Sequence, residues 1–282
     1  MRVGHLRKGG SSLERVYVLV YWASLLVLFF AIVVPMLEAR LERIVVRKLF
    51  HLLAVVLFAP VTIADPDLMS LAYAGATALL VIAEAFRVAK AGAVGRFIGT
   101  LWCRFVDERE MTEASYAYSK DKAQSNRPGS ALVLTPIYLL IGCALPLWIS
   151  HFLFQSCRPV SGAAQMNLAQ MNLAGVAAIG VGDAMAAIVG KTIGRNKWPD
   201  SSRTFEGSFS FWIGLVVFYT VMQHSIFSDA AYHAGITANS MKTSSMGYKC
   251  VLFLMVSLLE ACTTQMDNLV LPLFTLTGLG LC

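Results

Sequence analysis

Charge is what this chain has least of. Of its 282 residues only 14% are Asp, Glu, Lys or Arg, against 57% hydrophobic, where a soluble domain carries roughly 25% charged residues. The 17 acidic and 23 basic side chains are too few to cover the polar surface of a water-soluble domain of this length. Cysteine is sparse as well. The six present (Cys103, Cys143, Cys157, Cys250, Cys262, Cys282) include no C-x-x-C and mostly lie inside apolar runs, which excludes a disulfide scaffold and leaves them as small hydrophobes. Heptads are lacking, which excludes a coiled coil, and the apolar content excludes a disordered chain. His5, His151, His224 and His233 have no partners at metal-ligand spacing, so no zinc site is expected. What is present in abundance is apolar sequence, with a mean hydropathy of +0.64. The composition reads as an all-α, polytopic integral membrane protein.

A helix needs about 20 apolar residues to cross roughly 30 Å of hydrocarbon. About eight segments approach that length: Val16–Leu37, Leu49–Ala64, Leu68–Phe86, Ala131–Ser150, Leu168–Gly190, Phe209–Phe227, Gly247–Ala261 and Leu269–Leu281. The second and the last two are short. The first ends at Pro35-Met36-Leu37-Glu38 without a small-residue cleavage site, so it is expected to be a retained span. It forms with the tail a region 1–45, and residues 46–282 form the main membrane domain.

Alternation puts Glu38–Lys48, Arg87–Gly129, Lys191–Gly207 and Cys262–Asn268 on one side, with 4, 8, 4 and 0 basic residues. The other side receives the Asp65-Pro66-Asp67 turn, His151–Asn167 and Ser228–Met246, whose only basic residues are Arg158 and Lys242. The positive-inside rule makes the first set cytosolic, so the net charge of +6 reports topology and no nucleic-acid partner is expected. The tail residues Arg2, Arg7, Lys8 and Arg15 balance those of Glu38–Lys48, and the first span cannot be oriented from its own flanks. Within the large loop, Asp107–Glu110 and Thr112–Gly129 look like a solvated excursion. Gly92–Phe105 reads as an amphipathic interfacial helix with Phe97, Ile98, Leu101, Trp102 and Phe105 towards lipid and Arg96 and Arg104 snorkelling.

The most informative stretch is Gly180-Val181-Gly182-Asp183-Ala184, continuing to Gly190-Lys191-Thr192-Ile193-Gly194-Arg195-Asn196-Lys197 and Ser202-Arg203-Thr204-Phe205-Glu206-Gly207. Ala178, Gly182, Ala186 and Gly190 recur every four residues, giving a helix face almost without side chains that lets a helix or a flat ligand approach the backbone. Asp183 stands out, because a carboxylate inside a span costs a few kcal/mol unless it meets a cation, a metal or water. Gly190-Lys191-Thr192 is no Walker motif: Met185 occupies the required glycine position, and the tripeptide follows a helix where a P-loop precedes one. What remains is a glycine-bearing surface loop whose Lys191, Arg195, Lys197 and Arg203 can neutralise a polyphosphate, with N–H groups at Gly194 and Gly207 as further donors. Arg47-Lys48-Leu49-Phe50-His51 and Glu260 through Asp267-Asn268 lie on the same side. Each alone reads as interfacial anchoring or buried hydrogen bonding, but three polar constellations far apart in sequence share a depth with Asp183.

At these residues the sequence resembles the dolichol kinases, the CTP-dependent polyprenol kinase family. The matching segments are Arg47–His51, Phe105–Arg109, Ile137–Leu140, Gly180–Gly207 and Leu258–Leu273, from about residue 40 to the C terminus. The block Gly-x-Gly-Asp-Ala with Gly-x-x-x-Gly-Arg and Thr-x-Glu-Gly, taken with Asp-Asn-Leu-x-Leu-Pro-Leu, is fairly specific. Where family members commonly carry a Lys pair before Thr-x-Glu-Gly, this chain has Ser202-Arg203, leaving one cation. The resemblance implies the C-terminal catalytic part of a multi-pass endoplasmic-reticulum enzyme with a cytosolic nucleotide site. CTP would be its phosphate donor, Mg2+ or another divalent cation its cofactor, and dolichol in the bilayer its substrate; dolichyl phosphate then carries sugars for protein glycosylation. Asp183 and Asp267 are the candidate metal ligands or general base. Lys191, Gly194, Arg195, Lys197, Arg203, Thr204 and Gly207 are the candidate phosphate site. Glu206 and Asn268 would support or touch the nucleotide, and Arg47, Lys48 and His51 would hold nucleotide or product phosphate. A phytol-type kinase or a cytidylyltransferase would share this nucleotide site. A transporter using Asp183 as an ion site would instead need discontinuous helices in two matching halves, for which the sequence gives no sign, and a non-catalytic scaffold is the remaining reading.

Overall fold

A computed structural model describes residues 12–38, 43–89, 92–105, 133–154, 162–199, 201–234, 244–263 and 267–280. The tail residues Arg2, Arg7 and Lys8 and the excursion 106–132 lie outside these, as do the side chains of Arg47 and of 101–105. Each of the eight apolar segments holds a helix among the described residues. In chain order the helices are α1 (Ser12–Leu28), a π-helical turn (Phe29–Val33), α2 (Val34–Glu38), α3 (Arg43–Ala64), α4 (Pro66–Val88), α5 (Gly92–Phe105) and α6 (Thr135–Phe154). There follow α7 (Gly162–Asn172), a second π-helical segment (Val176–Asp183), α8 (Ala184–Thr192), α9 (Phe205–Ala234), α10 (Ser244–Cys262) and α11 (Asp267–Gly280). The protein is an all-α, multi-pass integral membrane protein. Among the described residues four helices are long and apolar enough to cross a bilayer, beginning at Ser12, Pro66, Thr135 and Phe205, and five if the bent pair Met166–Asn172 and Val176–Thr192 counts as one span. By the same measure α3 is a shorter apolar helix.

The chain divides into two compact units, one of Met1–Leu71 with Gly142–Cys282 and one of Ala72–Ile141. In the first, α1 lies along α3. Pro60 interrupts α3, and because proline has no N–H the carbonyl four residues earlier, on Val56, loses its helical donor. Tyr21 Oη donates to that carbonyl at 2.6 Å and Trp22 Nε1 to the next, on Leu57, at 2.8 Å. At the end of α3, Asp65 caps α4: its Oδ1 accepts the Leu68 N–H at 3.0 Å, with Pro66 in the first helical position, where a missing N–H costs nothing. The buried Asp65 carboxylate also meets Arg15 Nε at 3.1 Å. That contact puts the start of α1 at the α3–α4 turn, fixing the direction of the first span relative to its neighbours. Tyr21→Phe is expected to lower the stability of the detergent-solubilised protein by about 0.5–1.5 kcal/mol, since the Val56 carbonyl would be left without a donor. An unchanged unfolding midpoint would show the contact to be idle.

The segment expected as one span at Leu168–Gly190 is bent by 61°. No proline lies there. The bend falls where Gly175 crosses α6: a Cβ on Gly175 would stand 2.7 Å from the Cys143 Cα, closer than any side chain allows. One such bent pair is present among the described residues, whereas two matching halves of a transporter would need two. After the bend the side-chain-poor face packs against α9. A Cβ on Gly182 would lie 2.5–2.8 Å from the ring of Phe211, which is fully buried, and one on Gly207 would be 2.9 Å from the Ala186 carbonyl oxygen. Close helix packing of small residues therefore accounts for this face.

In the second unit, α5 begins with Gly92 at φ +57°, a left-handed conformation that favours glycine. Val94 and Phe97 on α5 are exposed, as an interfacial helix requires. Near the end of α4, Glu84 and Arg87 form a buried two-point ion pair at 2.7 and 2.8 Å, and Glu84 Oε1 also accepts the Val133 N–H at 2.6 Å.

Candidate active site

The first unit gathers charged groups at the α3 end remote from Asp65. Asp183 closes the second π-helical segment and occupies the residue before α8, but its carboxylate makes no cap. It is paired instead with Lys48 Nζ, and His51 Nε2 stands 3.5 Å from the same oxygen. Lys48 and His51 are three apart and so share one face of α3. Gly180 makes this approach of the two helices possible: a Cβ there would press on Val55 and come within 3.3 Å of the His51 carbonyl oxygen.

Opposite, Arg203 holds two carboxylates. Its Nε meets Glu260 Oε1 at 3.0 Å, and its Nη2 is hydrogen-bonded to Asp267 Oδ2. Glu260 is in the last turn of α10, where the helix dipole disfavours an anion, so it gains from the cation; Asp267 is the first residue of α11, where the dipole favours one. The two groups form one electrostatic site, because Arg203 acts on Asp183 and Glu260 feels Asp183, Asp267 and Lys48. Two polar atoms are left over: Arg203 Nη1 and Asp267 Oδ1 are buried without a hydrogen-bond partner. A donor and an acceptor in that state carry a desolvation cost that a ligand would relieve.

The loop that delivers Arg203 is braced by its own residues. Lys197 and Thr204 form an isolated antiparallel bridge, with the Trp198 N–H donating to the Arg203 carbonyl at 3.0 Å and the Phe205 N–H to the Asn196 carbonyl at 2.9 Å. The Trp198 ring stacks on Phe205 at 3.9 Å between centroids, and its Nε1 donates to Ser208 Oγ at 3.0 Å. Ser257, one turn before Glu260, donates to the Ser208 carbonyl at 2.6 Å, tying α10 to the same place.

Of the expected residues, Lys48, His51 and Asp183 thus meet in one group and Arg203 and Asp267 in another, which Glu260 joins. Other expected residues have a different place. Thr204 caps α9, its Oγ1 accepting the Gly207 N–H at 3.1 Å, while the Gly194 N–H donates to the Val189 carbonyl at 3.1 Å. The expectation that Gly194 and Gly207 offer free donors is corrected by these bonds. Both glycines serve packing: a Cβ on Gly194 would lie 2.7 Å from Thr204 Oγ1, and one on Gly207 3.0 Å from it. Glu206 latches the loop, accepting from Asn196 Nδ2 at 2.9 Å and from the Asn196 N–H at 3.2 Å. Lys191, Arg195 and Lys197 are exposed, and Asn268 is half-buried at the start of α11. Arg47 precedes Lys48 on α3. Among the described residues no three of His, Cys, Asp and Glu form a metal cage.

Comparison with known proteins gives one consistent group. The chain is 31% identical over 270 residues to the dolichol kinase of Mus musculus and 30% identical over 272 residues to that of Homo sapiens; each alignment covers 93% of this chain and 44% of the relative. It is 29% identical over 228 residues to the dolichol kinase of Schizosaccharomyces pombe, covering 81% of this chain and 37% of the relative. The chain therefore spans less than half the length of the curated relatives it matches. No protein-family model and no solved structure matches it.

Proposed function

We propose, for a chain that is a homologue of the dolichol kinases over 93% of its own length, that it transfers a phosphoryl group from CTP to the hydroxyl of dolichol at the cytosolic face of the endoplasmic reticulum membrane. The observation that carries this reading is the meeting of Asp183 and Asp267 with Lys48 and Arg203, from four separate parts of the chain, at one end of a bundle of apolar helices. Phosphoryl transfer asks a protein chiefly for positioning and charge: cations on the phosphate oxygens, carboxylates for a metal, and an acceptor for the proton of the attacking hydroxyl. Lys48 and Arg203 supply the cations. The exposed Lys191, Arg195 and Lys197 add a positive field at the mouth that favours the approach of a polyanion.

The carboxylates fit a metal that arrives with its nucleotide. Mg2+ in such sites takes one or two carboxylates together with phosphate oxygens and waters, so no protein-only cage is required. Asp267, with its unpartnered Oδ1, and Asp183 would hold the ion, which when bound offsets the negative charge of the phosphates. Where only one of the two carboxylates holds the ion, the other would accept the hydroxyl proton. The polyprenyl tail stays in the bilayer, so only the alcohol end has to reach the helix ends where these groups meet. Positive-inside topology supports the cytosolic placement of this end.

The test uses sealed microsomes carrying the chain, whose outer surface is the cytosolic one. Label from γ-labelled CTP should appear in dolichyl phosphate, with CDP released, without permeabilisation and in preference to ATP. Label that appears only after permeabilisation would reverse the orientation. No label under either condition would overturn the kinase reading, and release of pyrophosphate would replace it with cytidylyl transfer.

A further inference from the structure

We propose that Glu260 is a positioning residue that sets the phosphate-binding orientation of Arg203, an inference that rests on the kinase reading above and adds to it. A guanidinium presents its donors along three edges, and it binds an anion well only when its plane is fixed. Here two protein carboxylates hold it: Glu260 Oε1 makes an ion contact 3.0 Å from Nε, and Asp267 Oδ2 accepts a hydrogen bond from Nη2. The third nitrogen, Nη1, is buried with no partner, although the side chain as a whole is 25% exposed. Two anchors hold the guanidinium in place and leave both N–H groups of Nη1 unused. Nη1 is the donor left to a phosphate oxygen, and Asp267 Oδ1, equally unpartnered, is the acceptor left to the cation that accompanies the phosphate.

Of the two anchors, Glu260 is the one suited to a purely orienting part. It is 5% exposed and lies at the end of α10, where Ser257 donates to the carbonyl of Ser208 in α9, whose hydroxyl accepts from Trp198 Nε1 in the loop that carries Arg203. Asp267 by contrast keeps an oxygen free. Without Glu260, Arg203 would keep its charge and its link to Asp267 but could rotate about that link, turning Nη1 away from the phosphate. Lysine at 203 would keep the charge and lose the fork, so Glu260 would have nothing left to orient.

The experiment compares the unaltered chain, Glu260→Gln, Arg203→Lys and the double variant, each purified whole, for binding of Mg·CTP and of Mg·tripolyphosphate, which keeps the phosphates and drops the base. Thermal unfolding is followed in parallel. Glu260→Gln is expected to raise both Kd values about tenfold, the scale of one charge-assisted contact, with the KM for dolichol unchanged. The double variant should bind no worse than Arg203→Lys alone, because the two residues act as a unit. Losses that multiply, or a lowered unfolding midpoint with unchanged Kd, would overturn the orienting role. Should Glu260→Gln not accumulate, Glu260→Asp, which keeps the charge and withdraws it by one methylene, should give an intermediate loss, and an unchanged Kd there would overturn the proposal equally. Binding of Mg·tripolyphosphate by a chain that phosphorylates no alcohol would sink the kinase reading while leaving this inference standing. Binding of neither probe by the unaltered chain would sink both.

Discussion

Asp183→Asn and Asp267→Asn should each lower dolichol phosphorylation at least about a hundredfold, or ~2.7 kcal/mol at 1.36 kcal/mol per decade, while the protein still accumulates in the membrane. The amide keeps the shape of the carboxylate and removes its charge, so what is lost is metal binding and proton acceptance. Asp183→Asn also removes the carboxylate paired with Lys48, and Asp267→Asn leaves Arg203 with Glu260 alone. Because these side chains are about a fifth to a quarter exposed, solvent screens the released charge and limits the structural penalty. The double variant is the sharper measurement. Residues 183 and 267 belong to one electrostatic cluster through Arg203 and Glu260, and residues that act as a unit lose activity non-additively. The double variant should therefore be hardly worse than either single one. Multiplying losses would separate the two carboxylates into independent roles, and full activity of Asp183→Asn would return that residue to helix packing.

Much of this architecture is legible in the sequence because the bilayer imposes one pattern per element. Each of the eight apolar segments holds a helix among the described residues, although only four or five of these helices are long and apolar enough to cross a bilayer, and the Asp65-Pro66-Asp67 turn falls where α3 gives way to α4. Gly92–Phe105 folds as a helix with the bounds its amphipathic pattern gives. What the pattern cannot show is where one helix touches another. The bend at Asn172 and Val176 depends on Gly175 meeting the backbone of α6, a contact with a partner some 30 residues away that leaves no proline or charge as a marker. The π-helical segment ending at Asp183 is equally silent, since Val176–Asp183 is an ordinary apolar run. In the site, residue type identified the charged members but not their division of labour. Thr204, Glu206, Gly194 and Gly207 read as ligands because a loop of small and polar residues next to cations resembles a phosphate cradle. In the structure Glu206 accepts from Asn196, Gly207 donates to Thr204 and Gly194 donates to Val189 at the end of α8, around the loop that carries Arg203. Glu260 stood in the sequence as one more acidic residue near Asp267, and only its 3.0 Å contact with Arg203 Nε shows what it faces.

Gly142→Ala should disable the site without altering any charged residue. Pro272 interrupts α11, and its missing N–H leaves the Asn268 carbonyl without a helical donor. That carbonyl rests against Gly142 of α6. A Cβ on Gly142 would overlap the Asn268 oxygen, stand 2.9 Å from its carbonyl carbon and 2.7 Å from Ile179 Cδ1. Ile179 is 1% exposed and has nowhere to turn, and a backbone carbonyl cannot rotate away as a side chain does. The first turn of α11 must therefore shift, and Asp267 is its first residue. Overpacking of this kind costs about 1–3 kcal/mol of stability, but the larger effect is on geometry: a misplacement of about 1 Å at a reacting centre lowers turnover roughly a hundredfold. Gly75→Ala in α4 is the matched control, since a Cβ there meets nothing within 4 Å and alanine favours a helix interior by up to about 1 kcal/mol. The measurement is kcat for dolichol phosphorylation beside the unfolding midpoint of each variant. Turnover in Gly142→Ala should fall far more than its midpoint, with Gly75→Ala active and at least as stable as the parent. Equal activity in both variants would mean that α11 tolerates the added methyl and that the position of Asp267 does not depend on α6.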